Sequence, residues 1–251
     1  MGVVDLALQL ALIFALVYNN SLVVMGPLAW GGVSPRRALP LMILAESAGA
    51  LLSPMRPLAF STPYYAAALA FYLAFTLARI ALPISVFLYA LRGLNATALA
   101  IWFGTAPAAA LAGYALGRGL RPSQPLALLI LAAVGFMFGA NNIAFINDTP
   151  WALLPIILGN ILGLKFSRWI IKLYAFSFSG ALSASASATL IAVLGTAFGV
   201  PISFTFATYS TLLGAAMARR LRIIRPSDFL RTLAAITAAL LLAYATERLL
   251  A

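Results

Sequence analysis

Uncharged apolar runs are the feature that most constrains this chain. From Leu173 to Ala218 there is no charged side chain, and from Gly93 to Gly117 there is none either. The first run, from Leu6 to about Pro27, is uncharged and is interrupted only by Gln9 and by Asn19, Asn20 and Ser21. Runs of this length and polarity are membrane spans, which need about 20 apolar residues each. The whole chain agrees: 64% of its residues are hydrophobic and 8% are charged, where soluble domains carry about 25% charged residues. The fold class expected is an all-α polytopic membrane protein, multi-pass in the cell membrane.

What the chain lacks narrows its chemistry. There is no cysteine and no histidine. Disulfides, thiol nucleophiles, Cys/His metal sites and imidazole acid–base catalysis are therefore excluded. The few acids form no paired-carboxylate motif, which disfavours a metal-dependent lipid enzyme. The reading is a non-enzyme without a bound cofactor. The net charge of +11 lies mostly between the apolar runs, so it reads as topology and contact with anionic lipid, and not as a nucleic-acid surface. The start, Met1-Gly2-Val3-Val4-Asp5, lacks the basic segment of a cleavable signal.

Within the apolar runs two polar markers occur twice. Asn19-Asn20 is matched by Asn141-Asn142, an offset of 141 − 19 = 122. Pro83-Ile84-Ser85 is matched by Pro201-Ile202-Ser203, an offset of 201 − 83 = 118. Two markers in the same order at nearly the same offset indicate a duplication. The segment Arg118–Gln124 is the linker, which divides the chain into repeats 1–121 and 122–251. In a membrane protein, duplicated halves with broken helices point to a transporter whose site lies between them.

Charge placement gives the orientation. Asp5 outside and Arg36-Arg37 inside make the N-terminus external, with Gly31-Gly32 and Ser34-Pro35 in the basic turn and Ser34 as an N-cap. Setting the Arg118–Arg121 linker and the Arg219–Arg231 cluster inside as well requires an odd number of crossings in the first half. The halves then have inverted topology. Lys165, Arg168 and Lys172 follow the second run of the second half. The interval from Pro83 to Gly117 fits either a half-helix plus a full span or a re-entrant hairpin. The Pro201 arm reads more naturally as a full crossing.

Each triplet reads as a break followed by a new helix. Proline pushes Leu82 and Val200 out of helical geometry and suits the first helical position. The free N–H groups of such a turn, with the Ser85 or Ser203 hydroxyl, make an anion site. The plainer reading is a proline kink satisfied by its neighbours; the repetition favours a site. The Asn amides offer a carbonyl to a hard cation and N–H groups to an oxyanion, against a plainer role as polar glue between helices. Glu46 is a mid-span acid that stabilises a cation, carries a proton, or pairs with Arg79. Ser183, Ser185, Ser187 and Thr189 alternate with alanine and read as a close-packing face. Ser203, Thr205, Thr208, Ser210 and Thr211 read as pathway lining. Asp148 reads as surface charge.

These markers resemble those of the inorganic phosphate transporter (PiT) family. Phe138-Gly139-Ala140-Asn141-Asn142-Ile143-Ala144 is similar to the family's Gly-Ala-Asn-Asp-Val-Ala-Asn motif, and Val17-Tyr18-Asn19-Asn20-Ser21 with Gly26-Pro27 is a looser version. Val200-Pro201-Ile202-Ser203-Phe204-Thr205 and Leu82-Pro83-Ile84-Ser85-Val86 resemble its Pro-Val-Ser-Thr-Thr motif. Glu46-Ser47-Ala48-Gly49-Ala50-Leu51-Leu52 resembles its acidic segment. The family's motif aspartate falls on Asn20 and Asn142, and its later asparagine on Val23 and Phe145. Both motif carboxylates are thus replaced, which weakens coupling to a cation. Thr-Thr becomes Val86-Phe87 in one repeat and Phe204-Thr205 in the other.

The resemblance implies a phosphate permease working by alternating access, cation-coupled through sodium or a proton, and a homodimer. Ile84, Ser85, Ile202, Ser203, Thr205, Asn20 and Asn142 are the candidates for holding substrate. Asn19, Asn20, Asn141, Asn142 and Glu46 are the candidates for holding a sodium ion or proton. The alternatives are a permease for another oxyanion such as sulfate, or an uncoupled anion pathway. An assembly subunit without transport is disfavoured by the duplicated breaks.

Overall fold

A computed structural model describes residues 2–30, 33–78, 80–119, 121, 123–166, 178–218, 220 and 226–250. Ten α-helices follow in order among them: α1 Val3–Trp30, α2 Pro35–Leu52, α3 Thr62–Leu77, α4 Ile84–Ala90, α5 Ala96–Gly119, α6 Gln124–Phe138, α7 Leu153–Phe166, α8 Phe178–Ala197, α9 Phe204–Ala218 and α10 Pro226–Leu250. A π-turn, Gly139–Ile143, extends α6, and a single 3₁₀ turn, Pro150–Ala152, precedes α7. Described residues contain no strand. Among the described residues, five helices are long and apolar enough to cross a membrane: Val3–Gly26, Ala96–Gly117, Gln124–Ile143, Phe178–Ala197 and Phe229–Leu250. The protein is an all-α polytopic membrane protein. The turn at Gly31-Gly32, and Arg79, Arg168, Lys172, Arg219, Arg222 and Arg225, lie outside the described residues.

Local sequence explains the helix limits. Ser34, Ser61 and Ser123 precede helices carrying proline in their first turn, where its missing N–H costs nothing. Ser123 also accepts a hydrogen bond from the Leu126 N–H. The first Asn pair does not interrupt its helix: α1 runs straight through Asn19 and Asn20. The second pair lies in the π-turn, closed by the Ala144 N–H on the Gly139 carbonyl at 2.9 Å. Such turns insert one residue and re-aim the side chains beyond it.

The two proline breaks also differ. Pro83 caps α4, which starts at Ile84 and is only seven residues long. Α full-length α5 follows, so the Pro83–Gly117 interval is a short helix plus a span. In the second half helix resumes only at Phe204. Pro201-Ile202-Ser203 is a non-helical segment and not the first helical turn expected from sequence, because the Ile202 N–H and the Val200 carbonyl are both held by Asn141.

The helices exchange partners between the halves. α1 packs most extensively on α7, and α2 on α6. α5 packs on α9 and α8, and α10 on α4 and α3. Glycines set the close approaches. A Cβ on Gly49 would run into the Phe136 carbonyl, one on Gly139 into the Glu46 carbonyl, one on Gly113 into the Thr211 carbonyl and one on Gly214 into the Ala110 carbonyl. Close backbone approach at small residues is the usual glue of membrane helices, where water gives no hydrophobic push between them.

Hydrogen bonds fix the helix directions. Thr62 donates to Asp5 at 2.5 Å, Gln9 to Tyr65 at 2.8 Å and Asn147 to Gln9 at 2.7 Å. The starts of α1 and α3 therefore share one end of the molecule with the exit of the π-turn. α1 leaves that end and α6 arrives at it. The segment Ser53–Ser61 covers this end: Ser53 donates to the Ala140 carbonyl at 2.6 Å, and Arg56 pairs with Asp148 at 3.3 Å.

Candidate functional site

One cavity gathers residues from both halves and both breaks. Its lining includes Asn20 from α1, Leu82-Pro83-Ile84-Ser85 from the first break, Asn142 from the π-turn and Ile202-Ser203-Phe204-Thr205 from the second break. Leu16, Tyr72, Ala81 and Phe138 complete it. All seven residues read from the sequence as holding substrate are there. The space is about 20 Å³, the room one water needs. An oxyanion's tetrahedron of oxygens enters only when the lining parts. No lining residue is charged.

The polar side chains of the lining are amides and hydroxyls, each with a proton to donate. Asn142 Nδ2 and Ser85 Oγ are buried without a hydrogen-bond partner. Ser203 Oγ accepts from the Phe206 N–H at 3.3 Å, which leaves its own proton free to donate. Asn20 is tied down at both ends: Nδ2 donates to the Leu16 carbonyl at 2.9 Å, and Oδ1 receives the Thr205 hydroxyl at 3.4 Å. A buried polar group without a partner costs about 1–3 kcal/mol. Two such groups belong to residues of one cavity lining, and a buried group without a partner is a place where a ligand can supply the missing bond.

Asn19 and Asn141 stand behind the lining. Each bonds to a threonine at the far end of the third helix of its half: Asn19 to Thr76 at 2.7 Å, Asn141 to Thr196 at 3.0 Å. Beyond that they diverge. Asn141 clasps the second break, with its Nδ2 on the Val200 carbonyl at 3.2 Å and its Oδ1 taking the Ile202 N–H at 2.7 Å. Asn19 instead donates to the Tyr72 hydroxyl at 3.1 Å, and its Oδ1 is buried without a partner. The Ile202 N–H, read from sequence as an anion donor, is thus committed to Asn141.

Glu46 lies away from the cavity. It is fully buried on α2, and Asn160 of α7 donates to its Oε2 at 2.6 Å. Of the pathway cluster, Ser203 and Thr205 line the cavity. Thr211 instead donates to the Ala207 carbonyl and backs onto Gly113 of α5. In the serine-alanine stretch, Ser183 and Thr189 donate back to carbonyls one turn earlier.

Three residues escaped the sequence reading. Trp102 donates from its indole to the Pro201 carbonyl at 2.8 Å and so holds the break from the α5 side. Tyr72 links Asn19 to the cavity wall and donates to the Ala15 carbonyl at 3.2 Å. Asn160 is the third, and a signal for it existed: Glu46-x-x-Gly49 and Asn160-x-x-Gly163 share one offset, 160 − 46 = 163 − 49 = 114.

No family model and no curated protein matches the sequence. A solved structure matches in fold: it is described as "The sodium-dependent phosphate transporter", with a TM-score of 0.62 and 12% identity over 99% of this chain and 98% of that one. At that identity the likeness is one of architecture: from end to end, this chain has the fold of that transporter.

Proposed function

We propose that the chain is a permease for inorganic phosphate, a compact and divergent relative of the PiT transporters in the cell membrane. The observation that carries this reading is the cavity lined by both proline breaks, with the unpartnered Ser85 hydroxyl and Asn142 amide among its residues. Ser85, Ser203 and Asn142 hold the anion with neutral donors, and Asn20 with Thr205 braces the wall. The halves 1–121 and 122–251 are inverted repeats. Alternating access opens the cavity first to one side and then to the other. Sodium or a proton drives the cycle, and the protein works as a homodimer. The fold neighbour's printed name, a sodium-dependent phosphate transporter, supports the substrate.

The test is uptake of radiolabelled phosphate into proteoliposomes, with sodium and pH gradients imposed separately and sulfate as competitor. The double variant Ser85→Ala with Ser203→Ala should cut uptake by about tenfold or more, since a hydrogen bond to a charged group is worth about 1.5–3 kcal/mol. Correctly inserted protein that performs no phosphate exchange under any gradient sinks the assignment. One observation favours sulfate as a second reading: the lining has no carboxylate to accept the hydroxyl proton of a phosphate. Complete competition by sulfate supports that reading.

A further inference from the structure

We propose that the coupling cation binds away from the anion cavity, between Glu46 of α2 and Asn160 of α7. This rests on the transport reading above and names the site that drives it.

The atoms at this spot accept and do not donate. The Asn160 Nδ2 uses both of its protons, one on Glu46 Oε2 at 2.6 Å and one on the Ile156 carbonyl at 3.0 Å. That leaves Asn160 Oδ1 and Glu46 Oε1, both buried and both without a partner. Both residues are 0% exposed. Two unpartnered acceptor oxygens on side chains joined by a hydrogen bond, one of them on a carboxyl group, call for an electropositive guest. A proton and a small monovalent cation such as sodium share that chemistry. A buried carboxylate without such a partner is among the most expensive groups a membrane interior can hold.

Nothing else on the neighbouring helices answers Glu46. α2 packs against α1, α6, the π-turn and α7. α6 and the π-turn carry no ionisable residue. Asp5 of α1 is taken by Thr62, and Lys165 of α7 is exposed. Glu46 makes no ion pair among the described residues, whose one salt bridge is Arg56–Asp148.

The location explains how such a site acts on the cavity. Gly49 packs on α6 and the π-turn, at Phe136 and Ala140; Gly163 packs on α1, at Tyr18 and Ser21. Glu46 and Asn160 thus hold matching places in the two halves, and they meet each other. Cation binding there draws α2 of one half against α7 of the other. The Glu46 carbonyl also seats Gly139, and Gly135 lies against the Glu46 Cγ. Gly139 opens the π-turn that carries Asn141 and Asn142. One layer of packing therefore connects the cation site to the anion cavity and to the clasp on the second break. A ligand that favours one arrangement of this layer changes the affinity of the other site, and the effect is reciprocal.

The test uses the full chain in proteoliposomes and in detergent. For each variant, gradient-driven phosphate uptake is divided by phosphate counterflow, which needs the anion site but no driving gradient. Glu46→Gln should lower this ratio by about tenfold or more, within the usual range of coupling between sites. Asn160→Ala should lower it less. Imposing sodium and pH gradients one at a time tells which cation drives the wild-type protein. In detergent, sodium or acid should stabilise the wild-type protein against heat, and Glu46→Gln should abolish that response.

The proposal is overturned if Glu46→Gln concentrates phosphate as well as wild type, or if wild-type heat stability responds to neither cation. Should Glu46→Gln fail to insert, an unchanged ratio in Asn160→Ala overturns it equally. If wild type shows no counterflow, the transport reading fails. A cation response lost with Glu46→Gln would then still stand for the site.

Discussion

Asn141 holds open a gap in a helix path that the bilayer would otherwise penalise. Inside lipid every backbone group needs a partner, and this one side chain supplies partners to both sides of Pro201. Asn141→Ala strips two backbone groups and Thr196 of their bonds. It should cost several kcal/mol, at about 1–3 kcal/mol for each buried group left unpaired. Asn19→Ala removes only bonds to two side-chain hydroxyls and should cost less. Thermal unfolding of the two variants in the same detergent ranks them. Trp102→Phe keeps an aromatic ring but deletes the bond to the Pro201 carbonyl, and should cost about 1–3 kcal/mol. The Asn pairs and Pro-Ile-Ser triplets were legible from sequence because each occurs twice. Trp102 and Tyr72 were not, since a single polar atom in an apolar run has no period to betray which neighbour it meets.

Among the elements, α5 and α9 form the tightest crossing of the two halves. They run parallel: Trp102 meets Pro201, Gly113 meets Thr211 and Gly117 meets Ala215. Gly113→Ala and Gly214→Ala each drive a methyl into a backbone carbonyl of the partner helix. Both should reduce the yield of monodisperse protein sharply in size-exclusion profiles. Gly104→Ala on the same α5 meets nothing within 4 Å. It should be neutral or stabilising, by up to about 1 kcal/mol, since alanine is the better helix former. Helix existence could be read from apolar run length, and the breaks from proline. The restart of α9 at Phe204 could not, because it is set by an asparagine some sixty positions upstream. Nor could the unequal treatment of the two Asn pairs, one inside a continuous helix and one in a π-turn.

For the molecule as a whole, the helix directions bring Arg36-Arg37, Arg121, Lys165 and the start of α10 to the end opposite Asp5 and Thr62. The usual bias predicts that the basic side is the cytoplasmic one. The chain has no native cysteine, so single cysteines report cleanly. Those at Ser34, Ser123 and Ser227 should react with impermeant reagents only from the cytoplasmic side, and those at Ser61 and Asn95 only from outside. A shared face for Ser34 and Ser61 would refute the inverted arrangement. The main partners of α1, α2, α5 and α10 all lie in the opposite half. Gly49, Gly113, Gly139, Gly159, Gly163 and Gly214 all meet backbone of the opposite half. Produced as two separate polypeptides cut between residues 121 and 122, the pieces should copurify when made together and be degraded when made alone. On the inverted-repeat reading, a half of this kind, living before it had a second half fused to it, would have needed a copy of itself inserted upside down in the same bilayer.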